Sequence, residues 1–160
     1  MKVSKALPVS LLALALTAPL AWITAHADAG SPSAAQANAS KLVYGLLSDS
    51  RYAYRPRALD DALSAEIFKR YLDNLDPGKL YFTAADVDQL SRYRTTLDDA
   101  IRSGEVAPAF DIFTLYQTRV RERIAKARAM LNEDIFRFDG QDRWNYDRKD
   151  APWAANAGEL

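Results

Sequence analysis

Apolar residues recur every three to four positions over four stretches of the chain, a spacing typical of amphipathic helices. The first stretch is short and covers residues 41–48; its apolar positions are Leu42, Val43, Leu46 and Leu47. The second covers about residues 59–75; its apolar positions are Leu63, Ile67, Phe68, Tyr71, Leu72 and Leu75. Each pattern predicts a helix that buries one face against its neighbours.

The third predicted helix begins at Thr83, whose hydroxyl can cap free backbone amides while Asp86 occupies the partner position three residues on. Gly104 is the residue expected to end it, because glycine readily adopts the left-handed conformation found at helix C-termini. The turn before this helix is predicted at Asp76-Pro77-Gly78. The apolar stripe consists of Val87, Leu90, Tyr93, Leu97 and Ile101.

The fourth predicted helix is the longest, over about residues 106–131, with Pro108 tolerated in its first turn. Its stripe consists of Phe110, Phe113, Tyr116, Val120, Ile124, Ala127 and Leu131. A helix patterned in this way needs partners along its full length. The predicted fold is therefore all-α, with about four amphipathic helices in a bundle-like domain.

The N-terminus carries the features of an export signal. Lys2 and Lys5 form a basic start, residues 11–16 form an apolar centre, and Ala25-His26-Ala27 is a small-residue cleavage site. An uncleaved membrane anchor is the alternative, since residues 7–27 approach the length of a spanning helix. Pro8 and Pro19 interrupt that stretch. We expect a signal peptide over residues 1–27 and a mature protein that begins at Asp28.

The rest of the chain divides into three parts. Residues 28–40 are mostly alanine, serine, glycine and proline with little to bury, and predict a flexible leader. Residues 41–138 hold the helical domain, and residues 139–160 read as an irregular connector with aromatic insertions. The connector ends without a recognisable cap, which suggests a fragment of a longer product.

The amino-acid composition limits the kinds of catalytic, metal and binding sites that the chain can form. The sequence has no cysteine, which excludes disulfides and thiolate metal ligands. Signal removal leaves 19 basic residues against 21 acidic ones, a net charge of −2, which does not favour a polyanionic partner. It also removes His26, the only histidine, so the mature chain lacks an imidazole base or ligand.

No catalytic, cofactor-binding or metal site is predicted, although several residues were candidates. Ser64 and Lys69 lie five positions apart on one predicted helix, which turns their side chains to different sides and predicts surface positions for both. Carboxylate pairs lie near helix ends, where capping explains them; they are Asp60 and Asp61, Asp86 and Asp88, and Asp98 and Asp99.

Three other segments allow a binding role. Residues 139–142 partly resemble a calcium-binding loop, but they lack its alternating ligands, so a polar turn is favoured. Residues 51–57 interleave arginine with tyrosine, as some single-stranded nucleic-acid grooves do. We expect instead that Tyr52 and Tyr54 pack against the protein body. Trp144 and Trp153 could stack on sugars, yet docking on a neighbouring protein surface is favoured.

Several runs of residues resemble one known family. Residues 57–64, 67–76 and 80–87 are similar to the N-terminal helical domain of tail-specific proteases, also called carboxy-terminal processing peptidases. Residues 138–144 and 147–153 resemble the exit from that domain. Coverage is about residues 42–153, with the matches in the right order.

The resemblance implies a periplasmic serine endopeptidase of a Gram-negative bacterium. In that family a PDZ domain captures nonpolar C-terminal tails and a separate catalytic domain cleaves with a serine and lysine dyad. None of the family's catalytic positions falls within these 160 residues. The expectation is a non-catalytic scaffold domain without cofactor, whose partners are the downstream domains and periplasmic protein substrates. The alternative is a free-standing periplasmic helical interaction module.

Overall fold

The fold is seen in a computed structural model, which describes residues 32–133, 136–137, 139–141 and 143–160. The described chain folds into five α-helices and a short 3-10 helix. They are α1 (Ala34–Ser48), α2 (Asp61–Leu75), α3 (Ala84–Leu90), α4 (Leu97–Ser103) and α5 (Ala107–Leu131), and the 3-10 turn is Ser91–Tyr93. The all-α prediction is confirmed. The predicted signal peptide, residues 1–27, lies outside the described residues.

Helix α1 begins at Ala34, seven residues before the predicted start. Ser33 forms a capping box with Gln36, in which each side chain accepts a hydrogen bond from the other residue's backbone N–H. That cap, followed by alanines of high helix propensity, explains why the predicted flexible leader is helical from this point. The amino-acid composition of residues 28–40 did not by itself reveal this cap.

The packing face of α1 also differs from the predicted one. Lys41 and Ala37 lie against Gly104, and Ser40 Oγ donates a hydrogen bond to the carbonyl oxygen of Ile101, 3.0 Å away. The apolar residues expected to be buried lie largely exposed; they are Leu42, Val43, Leu46 and Leu47. Helix α1 therefore packs on α4 through Ala37, Ser40 and Lys41 and not through its apolar stripe.

The third predicted helix is two helices in the structure. Thr83 and Asp86 form the predicted capping box at the start of α3, and Gly104 ends α4 at φ 80°, as expected. Between them the chain passes through the 3-10 turn, and α4 restarts at Leu97. The backbone N–H of Leu97 donates a hydrogen bond to the buried Oγ of Ser64 in α2, which supports this restart.

The core lies where α2, α3, α4 and α5 meet. Its buried members come from all four helices and the loop between α2 and α3; they are Phe68, Leu72, Phe82, Leu90, Leu97 and Ile112. Ile112 lies off the stripe predicted for α5. The distal half of α5 exposes Ile124 and Leu131, so this helix extends beyond the packed body. Among the described residues, none of the helices is long and apolar enough to cross a membrane.

Candidate functional site

Ser64 and Lys69 are engaged separately and do not form a pair. Ser64 is fully buried, so its predicted surface position is wrong. Its Oγ accepts a hydrogen bond from the backbone N–H of Leu97 at 2.9 Å, which caps α4 from a neighbouring helix. The side chain of Lys69 is exposed and contacts Asp73 at 2.7 Å. Burial and a structural hydrogen bond leave Ser64 unavailable as a nucleophile.

The candidate carboxylates mostly serve helix ends. Asp60 Oδ1 accepts a hydrogen bond from the backbone N–H of Leu63 at 2.8 Å and caps α2. Asp98 is buried, and within the described part of the chain its Oδ1 has no hydrogen-bond partner. No three histidine, cysteine, aspartate or glutamate side chains converge on a possible metal position among the described residues. Residue 142 of the predicted polar turn lies outside them.

The segment over residues 51–57 is an exposed loop. Tyr52 and Tyr54 are 67% and 95% exposed, so the expectation that they pack down is wrong. Arg51 pairs with Asp49 at 2.6 Å instead of drawing the loop onto the body.

The two tryptophans of the connector behave differently. Trp144 remains 57% exposed, with the Arg148 guanidinium 5.3 Å from its ring centroid. Trp153 docks on the helical body, edge-on to Phe82 with ring centroids 6.0 Å apart. The predicted docking role therefore holds for Trp153.

Docking of Trp153 belongs to a longer contact made by residues 148–160, here called the strap. Arg148 Nε donates a hydrogen bond to the carbonyl oxygen of Gly78 at 2.8 Å. The backbone N–H of Ala84 donates to the carbonyl oxygen of Ala154 at 2.8 Å, within a parallel β-bridge. Lys126 Nζ reaches the carbonyl oxygen of Ala157 at 3.0 Å. The predicted connector is irregular, as expected, but this part of it is bound to the body.

The strap binds to the loop between α2 and α3, and Asp76 shapes that loop. The carboxylate of Asp76 is buried and accepts hydrogen bonds from three successive backbone amides, those of Leu80, Tyr81 and Phe82, at 2.8, 2.9 and 3.0 Å. A carboxylate that satisfies three donors holds the loop in one conformation. The sequence signal was an aspartate directly before Pro-Gly, which indicated a turn but not this role.

Lys79 lies at the centre of this loop. Its side chain is buried, its backbone is left-handed at φ 53°, and its ammonium lies 4.0 Å from the ring centroid of Trp153. The same ammonium pairs with Asp73, which also pairs with Lys69. Burial of Asp73 would raise its pKa, but the hydrogen bonds from the two lysines lower it. Sequence reasoning missed Lys79, because a lysine after a Pro-Gly turn reads as solvent-exposed.

A second charged cluster lies beside the strap. The Arg119 guanidinium contacts both carboxylate oxygens of Asp86, which also accepts hydrogen bonds from Thr83. Burial would raise the pKa of Asp86, but the hydrogen bonds from Arg119 and Thr83 together lower it. A cavity of about 300 Å³ lies between this cluster and the strap, lined in part by Arg123 and Lys126. The arrangement joins the α2–α3 loop, α5 and the strap.

Comparison with known proteins identifies the family of this chain. Residues 46–160 match the family described as "Tail specific protease N-terminal domain". A curated relative, the "Tail-specific protease" of Haemophilus influenzae, is 37% identical over 99 residues. That alignment covers 61% of this chain and 14% of the relative, so the chain corresponds to a small part of the longer protein. The chain belongs to the tail-specific protease family, in which it corresponds to the N-terminal domain.

Proposed function

We propose that this chain is the non-catalytic N-terminal scaffold of a periplasmic serine protease that processes proteins from nonpolar C-termini. The observation that carries the proposal is the family match over residues 46–160, which include the strap. The relative's greater length supports a protein whose catalytic and tail-binding parts lie outside this chain. The chain is a fragment in this proposal.

The state of the hydroxyl and amine groups supports a structural role. Ser64 Oγ is buried and accepts the Leu97 amide, while Lys69 and Lys79 both bind Asp73. A serine nucleophile requires an adjacent base and access to substrate. The helical body instead offers a rigid loop and a bound strap, which suit it to hold neighbouring parts of the polypeptide.

The scaffold role is tested by comparing this chain with the full-length protein. The gene is first sequenced beyond the Leu160 codon, where we expect an open frame that encodes a PDZ-like domain and a serine and lysine pair. The longer protein should then degrade an unfolded reporter with an apolar C-terminus, while residues 28–160 should not. Turnover by residues 28–160 that persists through several purification steps would refute the scaffold role.

Export is tested separately. We propose cleavage after Ala27, so protein recovered from the periplasm should have the intact mass of a chain that begins at Asp28. A mass that retains residues 1–27, with the protein held in the inner membrane, would contradict cleavage.

A second role, binding of another protein, is favoured by the exposed face of α1. Leu42 and Leu47 are 64% and 52% exposed, and Val43 and Leu46 lie beside them. Contiguous exposed apolar residues commonly mark interaction surfaces. A stop codon directly after Leu160, with no continuing frame nearby, would favour a free-standing interaction module over the scaffold.

A further inference from the structure

Lys79 carries two energetic costs at one position. A left-handed backbone is unfavourable for any residue with a Cβ, and Gly78 directly before it could adopt that conformation more easily. The side chain is only 6% exposed, so its ammonium has lost most of its water. Strained residues persist where surrounding contacts compensate for them. The contacts of Lys79 therefore indicate what the residue does.

Two contacts compensate for these costs, one with Asp73 and one with Trp153. The contact with Asp73 is shared with another lysine. Asp73 also pairs with Lys69, whose side chain is 78% exposed, so Asp73 would keep a cation without Lys79. The contact with Trp153 is different. A desolvated ammonium over an indole face is a strong form of the cation–π interaction. Here it joins the α2–α3 loop to a residue of the strap.

Trp153 lies between the other attachment points of the strap. Arg148 is held at Gly78 before it, and Ala154 is bridged to Thr83 and Ala84 directly after it. Trp153 supplies the large apolar group of the strap that packs on the core. Without Trp153 packed on the core, the strap would be held by three separate hydrogen bonds and no large apolar contact: Arg148 to Gly78, Ala84 to Ala154 and Lys126 to Ala157. Such isolated contacts open easily.

We propose that Lys79 is the positioning residue of the strap. Its buried ammonium holds Trp153 against Phe82 and the core. This contact fixes the path by which the chain leaves the helical body. The consequence for a longer protease rests on the proposed function, because the strap would set the direction of the next domain. The contact itself is a property of this chain and can be tested without any proteolytic activity.

Two variants of Lys79 separate its charge from its backbone conformation, and a third variant is a control at the other lysine that pairs with Asp73. Lys79→Met removes the charge and keeps a long apolar side chain with the same backbone cost. Lys79→Gly also removes the charge but relieves the left-handed strain. Lys69→Met is the matched control, because it removes the other lysine of Asp73 and leaves Trp153 untouched.

Two readouts on the full chain report the strap and the body. Fluorine NMR of protein labelled with 5-fluorotryptophan gives a signal for Trp153, assigned by its loss in Trp153→Phe. Hydrogen exchange of the Ala84 amide reports the bridge to Ala154, and exchange of the Leu97 amide reports the body. Both Lys79 variants should move the Trp153 signal toward its solvent-exposed position and speed Ala84 exchange about tenfold.

Leu97 exchange should stay within about twofold of the wild-type rate in Lys79→Met, and in Lys79→Gly it should be unchanged or slower. Lys69→Met should leave both readouts unchanged. An unchanged Trp153 signal and Ala84 rate in both Lys79 variants would overturn the proposal. Equal acceleration of Ala84 and Leu97 exchange in both variants would also overturn it, because Lys79 would then support the whole fold. Either result would leave the family role of the domain intact.

Discussion

Asp86 and Arg119 lie 33 residues apart in the sequence, and the guanidinium of Arg119 binds both oxygens of the Asp86 carboxylate at 2.7 to 3.1 Å. The side chain of Asp86 is 3% exposed and that of Arg119 is 32% exposed. The pair joins the N-terminus of α3 to the middle of α5. Because the carboxylate also completes the capping box at Thr83, one buried charge supports both a helix start and a contact between helices.

Loss of the Arg119 guanidinium should destabilise the fold. Arg119→Met leaves the Asp86 carboxylate buried without its cation, and we expect the free energy of unfolding to fall by about 2 to 4 kcal/mol. Arg121→Met, at an exposed position of the same helix, should change it by less than about 0.5 kcal/mol. Urea unfolding followed by circular dichroism measures both. Equal effects of the two variants would contradict a special role for Arg119.

The same pair predicts a pH dependence. Since hydrogen bonds lower the pKa of Asp86 in the folded protein, its contribution to stability is present above the ordinary aspartate range and falls as the pH drops below about 4. Burial is the largest single influence on the pKa of Asp86 and raises it. In Arg119→Met only the hydrogen bonds from Thr83 remain to oppose burial. The stability difference between wild type and Arg119→Met should therefore be largest near pH 7 and shrink as the pH falls through about 4 toward about 3. A constant difference in urea titrations across this range would disprove the assignment.

Ser64 should matter as a cap and not as a nucleophile. Ser64→Ala leaves the buried N–H of Leu97 without its acceptor, and we expect a loss of about 1 to 2 kcal/mol despite the higher helix propensity of alanine. Thermal unfolding of the purified chain measures this effect. Ser91→Ala, at an exposed position, is the control and should lie within about 0.5 kcal/mol of wild type.

The strap predicts an order of tryptic cleavage. Arg143 is exposed before the strap begins, while Arg148 is partly buried and bonded to Gly78. Limited digestion with mass mapping should therefore show cleavage after Arg143 before cleavage after Arg148. Trp153→Ala removes the group that packs on the core and should bring the two rates together. Simultaneous cleavage at both arginines in the wild-type protein would show that the strap is not held.

The chain's own pattern was enough to predict the helical class, most helix ends and the family. Apolar spacing defined α2 and α5 to within two residues, and Thr83 with Asp86 and Gly104 marked a helix start and end because caps act through neighbouring backbone groups. These features are local, so a single sequence contains them.

Only the tertiary structure decided which faces are buried and what the polar residues bind. Ser64 reaches Leu97 across 33 positions, and Lys79 meets Trp153 across a still longer separation. The strap has no periodic face, so its attachment depends on single contacts with a loop that Asp76 shapes. Hydrophobic periodicity reports the side of an element that is apolar, but contacts between distant segments are set by the shape of the folded surface.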